Sequence, residues 1–170
     1  QKDLLVKYSR QLISVLRQKI QGLEEELLRC LQTDDQLKET FQNITTIKGV
    51  GLILASTLIA HTNNFQSFEN WRQFSCYAGI APFEHRSGSS YRGKTKISTL
   101  GNKHLKTLLS QAAATAIQYN PEMKNYYQRR INEGKNKMST LNIIRNKLVS
   151  RIFAVAKRKS PYIDLFKFAA

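Results

Sequence analysis

The chain has 170 residues and a net charge of +15, and no apolar run approaches the roughly 20 residues of a membrane-spanning helix. This length accommodates one ordinary domain, or a small domain with an appendage. Residues 1–46 carry seven basic and seven acidic side chains, so residues 47–170 carry 27 − 7 = 20 basic and 12 − 7 = 5 acidic ones. This segregation predicts a neutral segment that joins a partner and a basic remainder that binds nucleic acid. A generically basic surface is the alternative.

The chain begins at Gln1 rather than at a methionine, which indicates a piece of a longer product, and nothing there resembles a signal peptide. Cys30 and Cys76 lie in different segments and have no CxxC spacing. We therefore predict two reduced, semi-buried thiols in a cytoplasmic protein, with a disulfide as the less favoured case.

A heptad repeat runs from Asp3 to about Leu31, with apolar residues every seven positions at Val6, Ile13, Ile20 and Leu27. A helix of about 28 residues would be some 40 Å long, so it should pair with a second copy of the chain or with a short following helix. The segment Thr33-Asp34-Asp35-Gln36 resembles a capping box that starts this following helix, which we expect to end near Asn43. Residues 1–43 are therefore predicted to be a coiled-coil-like segment and a site of homo-oligomerisation.

The next segment, Ile47-Lys48-Gly49-Val50-Gly51, precedes an apolar helix and resembles the hairpin of a helix-hairpin-helix motif. Glycines at 49 and 51 would let the backbone approach a phosphate closely, and the free N–H groups at the helix start would face that anion. Lys48 would add a positive charge. We therefore predict that Lys48, Gly49 and Gly51 bind nucleic acid. The alternative is a glycine-containing turn between two packed helices.

The remaining helices follow from caps and apolar spacing. Ser67 is expected to cap a helix that Gly79 ends, with Trp71 and Phe74 in the core. Three further helices are predicted, over Asn102–Tyr119, from Asn120-Pro121 to Gly134, and from Ser139 to Ser160-Pro161. No segment alternates over strand length, so the fold is predicted to be all-α. The compact domain spans residues 44–160, and residues 161–170 form a tail that is loosely attached from Tyr162.

The loop between two of these helices is strongly basic. The stretch Gly79–Lys106 contains six lysines and arginines, two histidines and one acid, Glu84. Its cations surround the run Ser87-Gly88-Ser89-Ser90, with a short hairpin expected around Gly88. Because such a loop repels itself unless an anion lies against it, we predict contact with a phosphodiester backbone. The predicted nucleic-acid-binding residues in and beside the loop are Arg86, Arg92, Lys94, Lys96 and Lys103.

A serine among these cations could be a nucleophile or a plain phosphate contact. Attack on phosphorus needs a base for the serine proton and cations for the charge of the transition state. Arginine suits the second task because its planar fork matches phosphate oxygens, and the one candidate base is His85. The residues alone leave both interpretations open.

Metal chemistry is not predicted for this chain. A two-metal nuclease needs clustered carboxylates that hold ions about 4 Å apart, whereas the five acids of the basic part are scattered. The histidines and cysteines also lack the spacing of a zinc site. We therefore expect no metal ligands and no cofactor in these residues.

Several ordered submotifs together resemble the C-terminal domain of the insertion-sequence one-ten type transposases, a family that includes the one-sixteen and nine-oh-two types and some site-specific DNA invertases. The resemblance covers roughly Ile44–Lys159, and residues 1–43 share only the heptad-bearing helix. It is carried by Gly49-Val50-Gly51, FSCYAGIAP at Phe74–Pro82, Ser87-Gly88, Arg92-Gly93-Lys94, Ile97-Ser98, Gly101-Asn102, Leu105, Asn120-Pro121 and Tyr126-Tyr127.

The resemblance implies a function as well as a fold. In that family a separate N-terminal RNase H-like domain binds Mg²⁺ through four acids, and the Ser-Gly motif, which maps onto Ser87 here, supplies a serine nucleophile. The heptad helices dimerise, and some members are guided by a structured RNA. This sequence lacks the acidic domain, so we expect it to bind DNA but to be inactive alone. Ser89 and Ser90 are the competing candidates for the nucleophile.

Two functions are thus predicted. The first is the DNA-binding part of a bacterial, nucleoid-associated transposase that cuts and rejoins DNA through a serine. The alternative is a non-catalytic helix-hairpin-helix adaptor that binds DNA or structured RNA.

Overall fold

The computed structural model describes residues 2–84, 86–87, 91–93, 96–98 and 100–164, and it confirms an all-α fold with a long N-terminal helix. In chain order the helices are α1 (Lys2–Gln32), α2 (Asp35–Thr45), α3 (Leu52–Thr62), α4 (Trp71–Tyr77), α5 (Lys103–Tyr119), α6 (Pro121–Asn132) and α7 (Lys137–Arg158). Between α4 and α5 lie four two-residue strands, β1 (Pro82–Phe83), β2 (Arg86–Ser87), β3 (Tyr91–Arg92) and β4 (Lys96–Ile97).

The chain divides into two compact units, residues 1–38 and residues 39–170, where the sequence predicted a division after residue 43. The first unit consists mainly of α1, whose 31 residues match the long helix predicted from the heptad. Its apolar side chains are open to solvent: Leu5, Leu12, Ile20 and Leu23 are each more than half exposed. An apolar stripe of this length is uncommon on a soluble surface unless something covers it.

The start of α2 differs slightly from the predicted capping box. The Asp34 carboxylate accepts the backbone N–H groups of Gln36 (2.7 Å) and Leu37 (3.0 Å), so Asp34 is the N-cap. The Thr33 hydroxyl instead donates to the carbonyl of Cys30 (2.7 Å), at the end of α1. The predicted helix is present, but its cap lies one residue further along the chain.

Asparagines cap four of the later helices. Asn102 accepts the N–H of Leu105 at the start of α5, where the helix was predicted to begin. Asn120 likewise caps α6, ahead of Pro121. Each side chain satisfies one of the N–H groups that the first helical turn leaves without a partner.

Two predicted caps were wrong. The cap of α4 is Asn70, which accepts the N–H groups of Arg72 and Gln73, and not Ser67. The cap of α7 is Asn136, three residues before the predicted Ser139. In both places an asparagine close to the predicted serine takes the cap, and asparagine is at least as good an N-cap as serine.

The core of the second unit lies where α5 packs against α3, α6 and α7, and where α4 packs against α7. Phe74 is fully buried, as predicted, and its ring lies 5.4 Å from those of Phe68 and Phe153. Trp71 is only half-buried, so its predicted core position was wrong. The other large side chains that are essentially inaccessible are Ile44, Leu58, Ile80, Leu105, Leu109, Met123, Ile144, Leu148, Val149, Ile152 and Val155.

The start of the C-terminal tail is attached, contrary to the prediction. The backbone N–H of Tyr162 donates to the Thr46 hydroxyl at 2.8 Å, and the Arg151 guanidinium lies 5.4 Å from the Tyr162 ring. Arg151 also binds both carboxylate oxygens of Glu122, at 2.6 and 2.7 Å. Burial raises the pKa of Tyr162, and the nearby Arg151 charge partly opposes that rise. The tail beyond Asp164 lies outside the described residues.

The composition also predicted the absence of a membrane-spanning helix and the state of the two cysteines. None of the helices of the described residues is both long enough and apolar enough to cross a membrane. Cys30 and Cys76 are free, as predicted, but both are exposed rather than semi-buried.

Candidate nucleic-acid interface

The basic loop is closed at its base by a direct backbone contact between two glycines. A Cβ atom on Gly101 would lie 2.1 Å from the Cα of Gly79, and one on Gly79 would lie 2.9 Å from the Cα of Gly101. Gly79 also has φ +67°, the left-handed conformation that ends α4. The N–H of Asn102 donates to the carbonyl of Tyr77 at 3.0 Å. Both ends of the loop are therefore fixed to each other, and neither glycine can carry a side chain without a shift of the backbone.

Above this contact the described backbone forms two short antiparallel pairs. In the first pair, β1 and β4, Pro82 faces Ile97 and Phe83 faces Lys96. In the second, β2 and β3, Arg86 faces Arg92 and Ser87 faces Tyr91. We call residues 79–101 the serine stalk. The hairpin expected around Gly88 agrees with the β2–β3 pairing on either side of it.

Ser87 is the last residue of β2, at the end of the described pairing that is furthest from Gly79 and Gly101. Its backbone position is described, as are those of Arg86, Arg92 and Lys96, but their side chains lie outside the described part. Lys94, His85, Ser89 and Ser90 lie outside it altogether. In the described backbone the candidate nucleophile, Ser87, thus faces Tyr91 and directly follows Arg86, whose facing residue is Arg92.

Helix α7 holds the start of the stalk through two asparagines. The side-chain amide of Asn142 donates to the carbonyl of Ile80 at 2.9 Å, and that of Asn146 donates to the same oxygen at 3.0 Å. Ile80 directly follows Gly79, so these bonds fix the direction in which the stalk leaves α4. Sequence analysis missed both residues. The available signal was two asparagines four residues apart inside a helix, where asparagine is a poor helix former and needs a reason to be present.

A buried arginine lies on the same helix. Arg145 is only 4 % exposed, its Nη1 donates to the Asn142 Oδ1 at 3.3 Å, and its Nε has no partner in the described part of the chain. Burial lowers the pKa of this guanidinium. Arg145 therefore supports the asparagine that holds the stalk, at the cost of desolvating a cation.

The predicted hairpin before α3 divides into a packed half and an open half. Gly49 has φ +98°, and a Cβ there would lie 2.5 Å from the carbonyl oxygen of Ala112 in α5. Its lack of a side chain is thus explained by close packing of this turn on α5. Gly51 and Lys48 are exposed, with open space around the Cα of Gly51, and no side chain caps α3. The open half retains the features that would suit a phosphate, whereas Gly49 has a packing role.

Lys103 is exposed and is the first residue of α5, directly after the cap Asn102 and two residues after Gly101. The base of the stalk therefore carries a cation on the α5 side. The structure does not bring Lys103 together with Lys48 in any contact that it describes.

Metal binding was not predicted for these residues. Among the described residues there is no group of three or more His, Cys, Asp or Glu side chains that could hold a metal ion. The Mg²⁺ that the resemblance implies does not fit these residues, so no step of the chemistry is assigned to a metal here.

Comparison with known proteins shows which family the sequence of the stalk and the helices around it resembles. The family model described as Transposase IS116/IS110/IS902 family matches residues 41–128, which is more than half of the chain. This match contains the turn before α3, the whole serine stalk and α5. The chain therefore belongs to the IS116/IS110/IS902 transposase family.

Its relatives include both inverting proteins and transposases. The pilin gene-inverting protein of Moraxella bovis is 25 % identical over 144 residues, covering 84 % of this chain and 45 % of the relative. The transposase for insertion sequence element IS1111A of Coxiella burnetii is 27 % identical over 142 residues, covering 82 % and 38 %. A probable family 20 transposase of Pseudomonas aeruginosa is 28 % identical over 110 residues, covering 63 % and 32 %. The chain thus spans less than half the length of these relatives.

Proposed function

We propose that this chain is the DNA-binding part of a transposase that cuts and rejoins DNA through the hydroxyl of Ser87. The observation that carries the proposal is the position of Ser87, at the end of the described pairing in a stalk whose base is fixed by Gly79 and Gly101. A nucleophile needs a fixed approach to its phosphorus, because most of the rate of such a reaction comes from positioning and from stabilised charge.

The charges beside Ser87 support the same proposal. Arg86 and Arg92 occupy facing positions of an antiparallel pair, where like charges destabilise the pairing. An anion held between them removes this repulsion. A phosphodiester is such an anion, and arginine can give two parallel hydrogen bonds to its oxygens. The two arginines would therefore bind a phosphate of the DNA strand that Ser87 attacks.

The reaction that this arrangement suits is a transesterification. The serine oxygen forms a bond to phosphorus while the bond from phosphorus to one sugar oxygen breaks; a base takes the serine proton, and a proton is returned to the departing sugar oxygen, which leaves as a hydroxyl. The resulting serine–phosphate ester keeps the energy of the broken bond, and attack by another sugar hydroxyl then rejoins the DNA and frees the serine. His85 is the base that the sequence offers.

Parts of the protein outside the stalk would contribute to DNA binding and assembly. Lys48 and Gly51 would contact a second phosphate, since the start of α3 is open and uncapped. Residues 1–43 would join copies of the chain through the exposed stripe of α1. Mg²⁺, and a guide RNA in those members that use one, would be bound by the longer protein, in the bacterial cytoplasm at the nucleoid. The 170-residue chain would bind DNA but not cut it.

The experiment that tests this function uses the full-length protein and its own DNA ends. Ser87→Ala should reduce strand transfer to background while DNA affinity stays within about twofold, because one neutral hydroxyl adds little binding beside so many cations. Ser89→Ala and Ser90→Ala are the matched controls and should remain active. Normal recombination by the Ser87→Ala protein would refute the mechanism, and loss of activity only in one of the two controls would move the nucleophile to that serine.

A non-catalytic adaptor is the second candidate function, and the open start of α3 is the observation that favours it. An adaptor needs Lys48 and Gly51 but no serine in the stalk. In that case Lys48→Glu would weaken DNA binding strongly, and Ser87→Ala would change nothing that the full-length protein does. The strand-transfer assay therefore separates the two functions.

A further inference from the structure

A cleft of about 590 Å³ lies against the lower part of the serine stalk. Its walls come from α4, from the β1–β4 pair and from α7, and its volume falls in the range of about 300–1,000 Å³ that small-molecule sites occupy. None of the described residues that line it is acidic. The side chains that define it are Trp71, Ser75, Cys76, Phe83, Ile97 and Ile143.

One polar side chain that lines this cleft, that of Ser75, has no hydrogen-bond partner among the described residues. A serine or threonine inside a helix usually donates to the carbonyl four residues earlier, as Ser56 does to Leu52 at 2.8 Å and Thr62 does to Leu58 at 2.7 Å. Ser75 does not: its Oγ is buried without a hydrogen bond, and the residue is only 1 % exposed. A buried hydroxyl without a partner is costly, so an occupant of the cleft that offers a hydrogen-bonding edge would remove that cost.

The rest of the cleft suits a flat ring attached to an anion. Trp71 is half-buried and supplies an aromatic surface, and Phe83 of β1 is 44 % exposed beside the cleft. The exposed Arg72 also lines it, with its guanidinium 5.4 Å from the centre of the Trp71 ring. Aromatic and arginine surfaces are the side chains on which unstacked bases lie in proteins that bind single strands.

The cleft is also close to Ser87 along the chain. Phe83 and Ser87 are four residues apart in the same stalk, so their Cα atoms are at most about 14 Å apart. Successive nucleotides of a stacked strand are about 3.4 Å apart, so about four nucleotides cover that distance. A strand whose phosphate reaches Ser87 therefore passes within reach of the cleft.

We propose that this cleft binds one unstacked nucleobase of the DNA strand that reaches Ser87, with Ser75 as the hydrogen-bonding group and Trp71 as the stacking surface. The inference rests on the proposed DNA-binding function and deepens it by naming a contact to a base. Removal of a base from the stack costs energy that is smallest in a single strand, so binding here should favour unpaired DNA near the cut site.

The two cysteines provide the test, because both are exposed, Cys76 lines the cleft and Cys30 lies on α1. The chain is treated with a maleimide in the presence of a single-stranded thymidine oligonucleotide or an abasic oligonucleotide of the same length. With thymidine DNA at about ten times its Kd, alkylation of Cys76 should slow about tenfold, because only the free chain reacts. The abasic DNA, at the same bound fraction, should leave Cys76 reactive, and Cys30 should react equally throughout.

A substitution tests the polar contact separately. Ser75→Ala should weaken binding of the thymidine oligonucleotide severalfold and leave binding of the abasic one unchanged. Ser56→Ala is the matched control, since its hydroxyl already bonds within its own helix. Tryptophan fluorescence follows the same event directly, because Trp71 is the only tryptophan in the chain.

Two outcomes would overturn the inference alone. Bound thymidine DNA that leaves Cys76 fully reactive would mean that no base enters the cleft, which would then be available to an apolar protein segment. Equal protection of Cys76 by abasic DNA would mean that only the backbone passes over it. Failure of both oligonucleotides to bind the chain at all would overturn the proposed DNA binding, and the base site with it.

Discussion

Helices α1 and α7 have similar apolar periodicity and opposite surroundings. In α7 the residues Ile144, Leu148 and Ile152 are at most 1 % exposed, because α4, α5 and α6 pack around them. In α1, Leu23 is 71 % exposed and Ile20 is 55 % exposed. The comparison shows that periodicity predicts a helix and its apolar face, but it does not predict what covers that face.

Charge separates the same two regions. Residues 1–46 are neutral in sum, whereas residues 47–170 carry the whole net charge of +15. A neutral helix with an open apolar stripe suits association with another protein chain, and a compact basic unit suits a polyanion. Four sets of matched substitutions test this division and the contacts behind it.

Removal of an apolar side chain should have different consequences in the two helices. Leu148→Ala should lower the free energy of unfolding by about 3 kcal/mol, because it leaves a cavity in a closed core. Leu23→Ala, the matched change in α1, should alter it by less than about 0.5 kcal/mol at concentrations too low for association. Urea unfolding measures both.

The Leu23→Ala protein should differ in a second way, since it should need a higher concentration than the natural chain to self-associate. Light scattering over a concentration series follows this. If the natural chain stays monomeric at high micromolar concentration, the prediction that residues 1–43 mediate homo-oligomerisation is wrong.

Glycine-to-alanine changes should have opposite signs in the two units. Gly101→Ala places a Cβ 2.1 Å from the Cα of Gly79, so it should destabilise the chain by about 2 kcal/mol and disturb the stalk. Gly22→Ala has nothing within 4 Å and lies inside α1, so it should stabilise that helix by about 0.5–1 kcal/mol. Thermal unfolding of the two proteins checks this, and a Gly101→Ala protein as stable as the natural chain would contradict the described contact between Gly79 and Gly101.

Charge reversal should weaken DNA binding only in the basic unit. Reversal of Arg92 and Lys94 together should raise the Kd about tenfold or more and reduce the dependence of binding on salt, because fewer counterions are released. Reversal of Lys2 and Lys7 in the N-terminal segment should change the Kd by less than about twofold, since these charges lie outside the basic region. Anisotropy titrations between about 50 and 200 mM salt make the comparison. Equal effects from the two pairs would contradict the assignment of binding to residues 47–170.

The smallest effect concerns the start of α7. Asn136→Ala should cost about 1 kcal/mol, because the N–H groups of Met138 and Ser139 lose their acceptor. Ser139→Ala should cost less than about 0.5 kcal/mol, since Ser139 is exposed and is not the cap. If urea unfolding shows Ser139→Ala to be more destabilising than Asn136→Ala, Ser139 is the cap, as the sequence predicted.

The sequence predicts the helices well and their caps less well. Apolar spacing gave the course of α1, α5 and α6, because periodicity is a property of the whole segment. The cap is whichever of several neighbouring polar residues has its side chain positioned to accept hydrogen bonds from the free N–H groups of the first turn. At Asn70 and Asn136 that residue was an asparagine, and sequence alone gave no means of choosing it over a nearby serine.

The stalk shows the other limit of sequence-based prediction. Its strands are two residues long, too short for an alternating pattern, and they exist because Gly79 and Gly101 bring the two ends together. The bonds from Asn142 and Asn146 to Ile80 join residues more than sixty positions apart. Local sequence patterns contain no information on such long-range contacts. The basic composition around Ser87, in contrast, is a local property and is evident from the sequence.

The proposed bond between Ser87 and DNA can be located directly in the full-length protein. Full-length protein is mixed with its DNA ends, the reaction is stopped before rejoining, and the peptide that carries the nucleotide is identified by mass spectrometry. We expect a phosphodiester link at Ser87 that is absent from the Ser87→Ala protein. A link at a different residue type, or recombination with no protein–DNA bond at any serine, would contradict it.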